Sequence, residues 1–355
     1  MEKEIYRKLA EHLDRLPGGF APSETGADLR LLRRLFTLEE ADLATHLTLE
    51  REEAQVIAAR AGLALAEAEQ RLDEMARKGL IFAVGPEEGP ALYQAVPWVV
   101  GIYEFQVNNL NEALLEALGD YWSTAKRVKP QAPITSQMRT IPVGRSIEPR
   151  LDVLPYERVE ALVSAHETFA VAPCICRRHD KLEGRGCDAP EESCLVFGEF
   201  AQYYVRTGRG RSIDRAEVMD ILDRADAANL VLQPTHSKEI SAICCCCGCC
   251  CGVLGWIKHQ PKPAQAVTSS FIAQFEAETC TGCWTCLERC QMEALTANGD
   301  RVALDRDRCI GCGLCVSTCP SGALTLARKP GSAQAHVPED FFGAWREISQ
   351  AQAEM

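Results

Sequence analysis

Residues 280–291 read C-T-G-C-W-T-C-L-E-R-C-Q, and residues 309–320 read C-I-G-C-G-L-C-V-S-T-C-P. Each is C-x2-C-x2-C-x3-C, and the second ends in proline. The halves align as an internal repeat offset by 29 residues: Cys-Thr-Gly-Cys meets Cys-Ile-Gly-Cys, and Glu293-Ala-Leu-Thr meets Gly322-Ala-Leu-Thr. Gly282 and Gly311 hold the same place in each half, where a residue without Cβ lets the loop turn tightly and aim its N–H groups inward. Eight thiols at two matching spacings point to metal ligation rather than to disulfides.

This pattern resembles the bacterial-type two-cluster ferredoxin module over about residues 271–328. The resemblance implies two [4Fe–4S] clusters. In that family three cysteines of a run take three irons of one cube, and the fourth, which starts a helix, ligates the other cube. Carried over, one cluster takes Cys280, Cys283, Cys286 and Cys319, and the other takes Cys309, Cys312, Cys315 and Cys290. One departure is Gln291, where the family has proline after the fourth cysteine. It adds an N–H near a cluster and frees φ, an effect expected on one cluster's potential rather than on the fold. The plain alternative is that the clusters only staple the domain; the family uses the pair to pass single electrons.

At 355 residues the chain has room for two or three domains. Charged residues make 25% and hydrophobic ones 46%, as in an ordinary soluble globular protein. A net charge of −12 argues against nucleic acid as the main partner and against an anionic membrane surface. The start, MEKEIYRKLAEHLDRL, alternates charges and lacks the apolar core of a signal peptide. No apolar run reaches the roughly 18–20 residues a membrane helix needs, so no membrane insertion is expected. Nineteen cysteines without an export signal imply a reducing cytoplasm.

The expected fold class is α+β: an N-terminal winged-helix-like domain (1–105), a helix and connector (106–137), a Cys-rich α/β middle domain (138–270), the ferredoxin-like domain (271–328) and a tail with an amphipathic helix (329–355). Apolar periods predict helices over 2–15, 26–36, about 38–46, 50–61 and 64–78, with Thr37-Leu-Glu-Glu as a capping box. Two short strand runs around the turn Gly85-Pro-Glu-Glu-Gly-Pro complete the winged-helix order. A DNA-reading helix wants basic residues. The helix at 64–78 instead sets Glu67, Glu69, Asp73 and Glu74 against Arg71, Arg77 and Lys78, and the wing tip is Glu87-Glu88. A docking or scaffold domain is the better reading. Residues 96–105 (VPWVVGIYEF) read as an apolar strand, and a helix is expected over 108–122. In the tail, Phe341, Phe342, Trp345 and Ile348 are expected to dock a short helix onto the body.

The middle domain reads as a strand start at Arg139–Val143, a helix at 155–167, a strand from Phe169 into Cys174, a helix capped by Asp214 and a strand at Leu230–Gln233. It carries Cys174, Cys176, Cys187 and Cys194, then Cys244, Cys245, Cys246, Cys247, Cys249, Cys250 and Cys251. Eleven clustered thiols are too many for a plain core. One zinc ion uses four ligands, which would leave seven unexplained. Adjacent side chains in an extended segment face opposite ways, so Cys244 and Cys246 can serve one site while Cys245 and Cys247 serve another. The Cys-Cys-Gly triplets at 246–248 and 250–252 resemble the CCG motifs of heterodisulfide-reductase catalytic subunits, whose neighbouring cysteines hold non-cubane clusters. The long spacings of that family are missing, so its activity is not carried over. His179 and His236 are candidate ligands or proton donors, against the plainer reading of solvated side chains. Arg177, Arg178, Arg209 and Arg211 can bind an anion or balance thiolate charge. Gly208-Arg-Gly-Arg-Ser lacks phosphate-loop spacing.

The whole chain is similar to a group of uncharacterised 4Fe–4S proteins of anaerobic bacteria. The residues that carry this are GGFAPSETGADLRLL, P-C-I-C-R-R, the 186–198 segment G-C-D-x-P-x-x-x-C-L-x-F-G, G-R-G-R-S-I and the cysteine run. In that pattern position 245 is often asparagine, so the ligands of one or two further clusters are drawn from Cys174, Cys176, Cys187, Cys194, Cys244, Cys246, Cys247, Cys249, Cys250 and Cys251. The expected function is multi-cluster electron transfer between the ferredoxin clusters and this site, with a redox partner protein as donor or acceptor. Two alternatives are a redox-sensing winged-helix regulator and a reductase of a small thiol or sulfur compound.

Overall fold

The computed structural model describes residues 2–85, 90–125, 136–332 and 335–354. The chain forms two compact units: one of residues 1–137, 206–209 and 342–355, the other of residues 138–205 and 210–341.

The first unit contains α1 (Glu2–Asp14), α2 (Ala27–Leu35), α3 (Leu38–Ala44), β1 (Glu52–Glu53), α4 (Ala54–Ala61), α5 (Leu65–Lys78), β2 (Phe82–Val84), β3 (Leu92–Gln94), α6 (Tyr103–Phe105) and α7 (Glu112–Thr124). The three strands are antiparallel, in the order β1-β3-β2. The capping box before α3 is reciprocal: Glu40 N–H donates to Thr37 Oγ1 at 3.2 Å and Thr37 N–H to Glu40 Oε2 at 2.9 Å. Leu9, Leu31, Leu32, Ile57, Leu72, Met75 and Phe82 form fully buried layers at the spacings the helical periods require. The acidic wing tip, Glu87-Glu88, lies outside the described residues.

Residues 96–105 are a correction: no strand forms there. Pro97 starts an irregular turn in which Val100 takes φ 59°, and the segment ends in the single turn α6. The Glu104 carboxylate accepts the Gly101 N–H at 2.8 Å, an anchor a sheet ladder could not provide. The C-terminal helix (Phe341–Ala353) buries Ala344, Trp345 and Ile348. Its Trp345 Nε1 donates to Gln137 Oε1 at 2.9 Å, and the Phe342 ring sits 5.9 Å from that of Phe82.

The second unit runs α8 (Val159–Ser164), β4 (Phe169–Pro173), α9 (Ile175–Leu182), β5 (Glu192–Phe197), α10 (Gly198–Arg206), β6 (Arg211–Ile213), α11 (Arg215–Ala227), β7 (Val231–Pro234), β8 (Ala242–Cys246), α12 (Gly252–Lys258), β9 (Phe271–Phe275), α13 (Thr285–Arg289), β10 (Leu295–Asn298), β11 (Arg301–Leu304) and β12 (Leu324–Arg328). Five strands make one antiparallel sheet in the order β6-β4-β5-β8-β7. β9 pairs with β12 antiparallel, and β10 with β11 as a hairpin. The helix expected over 155–167 is broken: a turn at Pro155–Glu157 and an extended Arg158 precede the shorter α8. Helix α9 begins where the strand from Phe169 is expected to end in cysteines, and α10 forms over a stretch for which the sequence predicts no element. α10 is held by buried Phe200, Ala201, Tyr203 and Tyr204.

The sheet and the C-terminal cysteine repeats share one apolar core. Met292, Ile310 and Leu314 pack in the same cluster as Val171, Leu195, Val218, Leu232 and Ile243. A buried ion pair reinforces this: Arg289, from α13, meets Asp226, from α11, and also donates to Leu314 O at 3.0 Å and Ser317 Oγ at 3.1 Å. Among the described residues no helix is long and apolar enough to cross a membrane.

Two outcomes follow from this packing. Arg289→Met leaves the Asp226 carboxylate buried without its partner and is expected to cost about 3–5 kcal/mol in urea unfolding, the usual penalty for breaking a buried pair. His236 is 5% exposed, and burial, with Arg139 and His336 nearby, holds its pKa at about 4. A depressed histidine stabilises the neutral form, so its contribution is whole above pH ~6.5 and lost as pH falls toward 4. Unfolding midpoints in that window should move less with pH in His236→Gln than in the parent chain.

Candidate metal centres

The middle-domain thiols are placed by three local devices. β4 ends at Pro173, so Cys174 caps α9 and Cys176 lies in that helix's first turn. β5 and β8 pair with Cys194 directly across from Cys244. β8 then leads through Cys247, Gly248, Cys249 and Cys250 to Cys251, which caps α12.

Strand alternation separates the run. Cys244 and Cys246 share a face of β8, and hydrogen-bonded thiol contacts run in a chain Cys194–Cys244–Cys246–Cys251–Cys176–Cys174. Cys245, on the opposite face, is 1% exposed in the apolar core, and burial pushes its thiol up to about 12. Cys247 lies beyond the strand and joins Cys187, Cys249 and Cys250, whose four Sγ atoms all lie within 4.8 Å of one another. Cys245 therefore does not accompany Cys247, because the chain turns between them.

The electrostatics of the two thiol sets differ. In the six-thiol set an S–H hydrogen bond donated to a neighbouring thiol, reinforced by burial, holds Cys174, Cys244 and Cys246 well above the ordinary thiol range. These groups ionise together only if a cation joins them. In the four-thiol set burial opposes ionisation of Cys247, but the Cys250 N–H, the Cys249 thiol and Arg177 outweigh it and bring the thiol to about 7. The Arg177 guanidinium is buried, lies 3.7 Å from Cys247 Sγ and donates to Cys245 O at 3.1 Å.

The other singled-out residues are engaged elsewhere. Arg178 pairs with Glu191, Arg211 with Glu192 and Glu217, and Arg209 donates to the carbonyls of Phe105 and Arg77. His179 is buried against Glu183 at 3.2 Å. His236 lies beside Arg139, away from the thiol sets.

The C-terminal repeats form cradles of the expected shape. Cys290, Cys309, Cys312 and Cys315 line one cavity together with Met292, Ile310 and Leu314. Cys290 Sγ accepts the Ala294 N–H at 3.2 Å, and Cys309 Sγ the Ala273 N–H at 3.3 Å. Burial raises the Cys286 thiol to about 11, with Cys283, Cys319 and Cys280 as its charged neighbours. Gly282 and Gly311 both take positive φ. A Cβ there would stand 2.4 Å from Asp300 O and 2.1 Å from Phe271 O, so only glycine closes these loops. Enclosed thiols with N–H donors aimed at sulfur fit iron–sulfur clusters.

Residues 273–326 match the family model described as a 4Fe-4S dicluster domain. No curated protein and no solved structure matches the chain. The chain is thus an iron–sulfur protein with a ferredoxin-like C-terminal module. The match does not extend to the other residues, which carry a second cysteine-rich centre around residues 247–250.

Besides the Arg289–Asp226 pair and the shared core, a hydrogen bond joins the cysteine run to the repeat. Gly248 N–H donates to Gln291 Oε1 at 2.7 Å, and a Cβ on Gly248 would lie 2.9 Å from that oxygen and 3.0 Å from Gln291 O. Sequence reading flagged Gln291 only as a departure from proline; its partner was not legible there. In a double-mutant cycle, Gly248→Ala and Gln291→Ala should be non-additive by about 0.5–3 kcal/mol in denaturant unfolding. Additive losses would mean that the two positions do not touch.

Proposed function

We propose that this protein passes single electrons between a redox partner protein and an iron–sulfur site in its middle domain, by way of the two ferredoxin-type clusters. [4Fe–4S] clusters supply one-electron chemistry when bound. One cluster would be held by Cys280, Cys283, Cys286 and Cys319, and the other by Cys309, Cys312, Cys315 and Cys290. The middle-domain site would draw on Cys174, Cys176, Cys194, Cys244, Cys246 and Cys251. The observation that carries this reading is the continuity of the second unit. Cys290 is followed at once by Gln291, whose amide oxygen accepts the N–H of the glycine between Cys247 and Cys249. The apolar core around Met292, Ile310 and Leu314 keeps water from the space between the sets.

The first unit we read as a winged helix retained for docking. Its support is the element order α3-β1-α4-α5-β2-β3 with sheet order β1-β3-β2. Two of the three basic residues of α5 are paired within the unit, Arg71 with Glu67 and Lys78 with Glu40 and Glu74, and Asp73 accepts the Tyr93 hydroxyl at 2.6 Å. This disfavours phosphate contacts and with them the regulator reading. A cytoplasmic place accords with so many reduced thiols.

Iron, acid-labile sulfide and EPR on protein purified without oxygen test the proposal. More than about eight irons per chain are expected, the number two cubes account for. Cys244→Ser with Cys246→Ser should lower iron and sulfide but keep the ferredoxin-type signals of the dithionite-reduced protein. An iron content of about eight that this variant leaves unchanged would remove the middle-domain site.

A further inference from the structure

The four-thiol set is too tight for a cluster. Three of its edges are 3.9 Å for Cys187–Cys247, 3.7 Å for Cys187–Cys250 and 3.7 Å for Cys249–Cys250, and no Sγ pair exceeds 4.8 Å. Four thiolates around one ion at a metal–sulfur distance of about 2.3 Å stand about 3.8 Å apart along each edge of the tetrahedron. In a cubane each thiolate binds a different iron, and the whole iron–sulfide core lies among the four sulfurs. That core does not fit inside the spacing seen here. We propose that Cys187, Cys247, Cys249 and Cys250 bind one tetrahedral divalent metal ion of the zinc or ferrous type, a site different in kind from the iron–sulfur sites.

The local chain is built for such an ion. Cys247 and Cys250 form a C-x2-C turn in which the Cys250 backbone N–H points at Cys247 Sγ. Cys187 enters from the loop between α9 and β5, and Cys249 closes the fourth corner. All four positions are filled by protein, the arrangement of a structural rather than a substrate-binding site. Binding converts four thiols and M²⁺ into a complex of net charge −2 and releases four protons. Arg177, buried 3.7 Å from Cys247 Sγ, offsets part of that charge.

The position of the turn gives the ion a purpose. Cys246 and Cys251, one on each side of it, belong to the six-thiol chain. Gly248, inside the turn, carries the N–H that Gln291 accepts. An ion here fixes the geometry of both neighbouring contacts. The inference shares with the proposed function only the premise that middle-domain thiols bind metal.

The test uses full-length protein purified anaerobically, with zinc and iron measured against labile sulfide. The expected result is one ion per chain that sulfide does not match. Its X-ray absorption should show a sulfur-only shell without metal–metal scattering if it is zinc; if it is iron, Mössbauer spectra should show an isolated high-spin ferrous site. Cys249→Ser, at the exposed corner, should lose this ion while sulfide and the iron matched to it stay unchanged. Loss of sulfide together with metal in that variant would make the set a cluster ligand and overturn the proposal. So would a metal–metal shell for this ion, or a wild-type protein whose metal is fully matched by sulfide. A protein that holds the single ion but no sulfide would sink the electron-transfer reading and leave this one standing.

Discussion

A thiolate buried beside other thiols is a charge that water cannot screen. Of the nineteen cysteines, all but Cys245 stand beside other thiols in one of four sets, and of these only Cys249 and Cys283 are exposed. The upward shifts at Cys174, Cys244 and Cys246 express one constraint: the second unit cannot ionise these groups singly without a cation. A metal bound by these thiols would contribute its binding free energy to the folding of this unit. Arg177 lies beside Cys247 Sγ, and the N–H groups of Ala273 and Ala294 donate to Cys309 and Cys290 Sγ.

The antiparallel sheet settles which thiol meets which. Period-two alternation along β8 sends Cys244 and Cys246 one way and Cys245 the other. The β5–β8 register puts Cys194 against Cys244. The turn at Gly248 then breaks the alternation, so adjacent cysteines divide between sites: Cys246 from Cys247, and Cys250 from Cys251. Two peptide links thus tie one set to the other, and relative displacement of the two is small because both ride on the same short stretch of backbone. The ferredoxin-like repeats use a similar division, in which the fourth cysteine of one run faces the other run's cradle.

Much of this was legible in the sequence because it is local. The eight cysteines at 280–319 are a spacing signal, and the capping box at Thr37 and the helix cap at Asp214 are four-residue signals that the structure keeps. What was not legible depends on tertiary partners. VPWVVGIYEF has strand composition, but Pro97 and the Glu104 carboxylate turn it away from any sheet. α9 begins inside a cysteine-rich stretch because Pro173 ends β4 just before Cys174. Arg177 looked no different from Arg178, Arg209 and Arg211. What separates it is the thiol at 3.7 Å, Cys247 Sγ; Arg178 and Arg211 pair with carboxylates, and Arg209, equally buried, donates to backbone carbonyls.

Gln291 is the position where the repeat departs from its own second half, which has Pro320. Proline at 291 would have neither an amide to accept the Gly248 N–H nor the side-chain reach to cross to the cysteine run. Gly248 is the matching half of the arrangement: any Cβ there would press on Gln291 within 2.9–3.0 Å. A glycine and a glutamine thus add a hydrogen bond to the Arg289–Asp226 pair and the apolar core that seat the ferredoxin-like module on the thiol-rich sheet. A free-standing ferredoxin module has no use for such a seat. Gln291 instead ties the module to the cysteine run of the sheet through the Gly248 N–H.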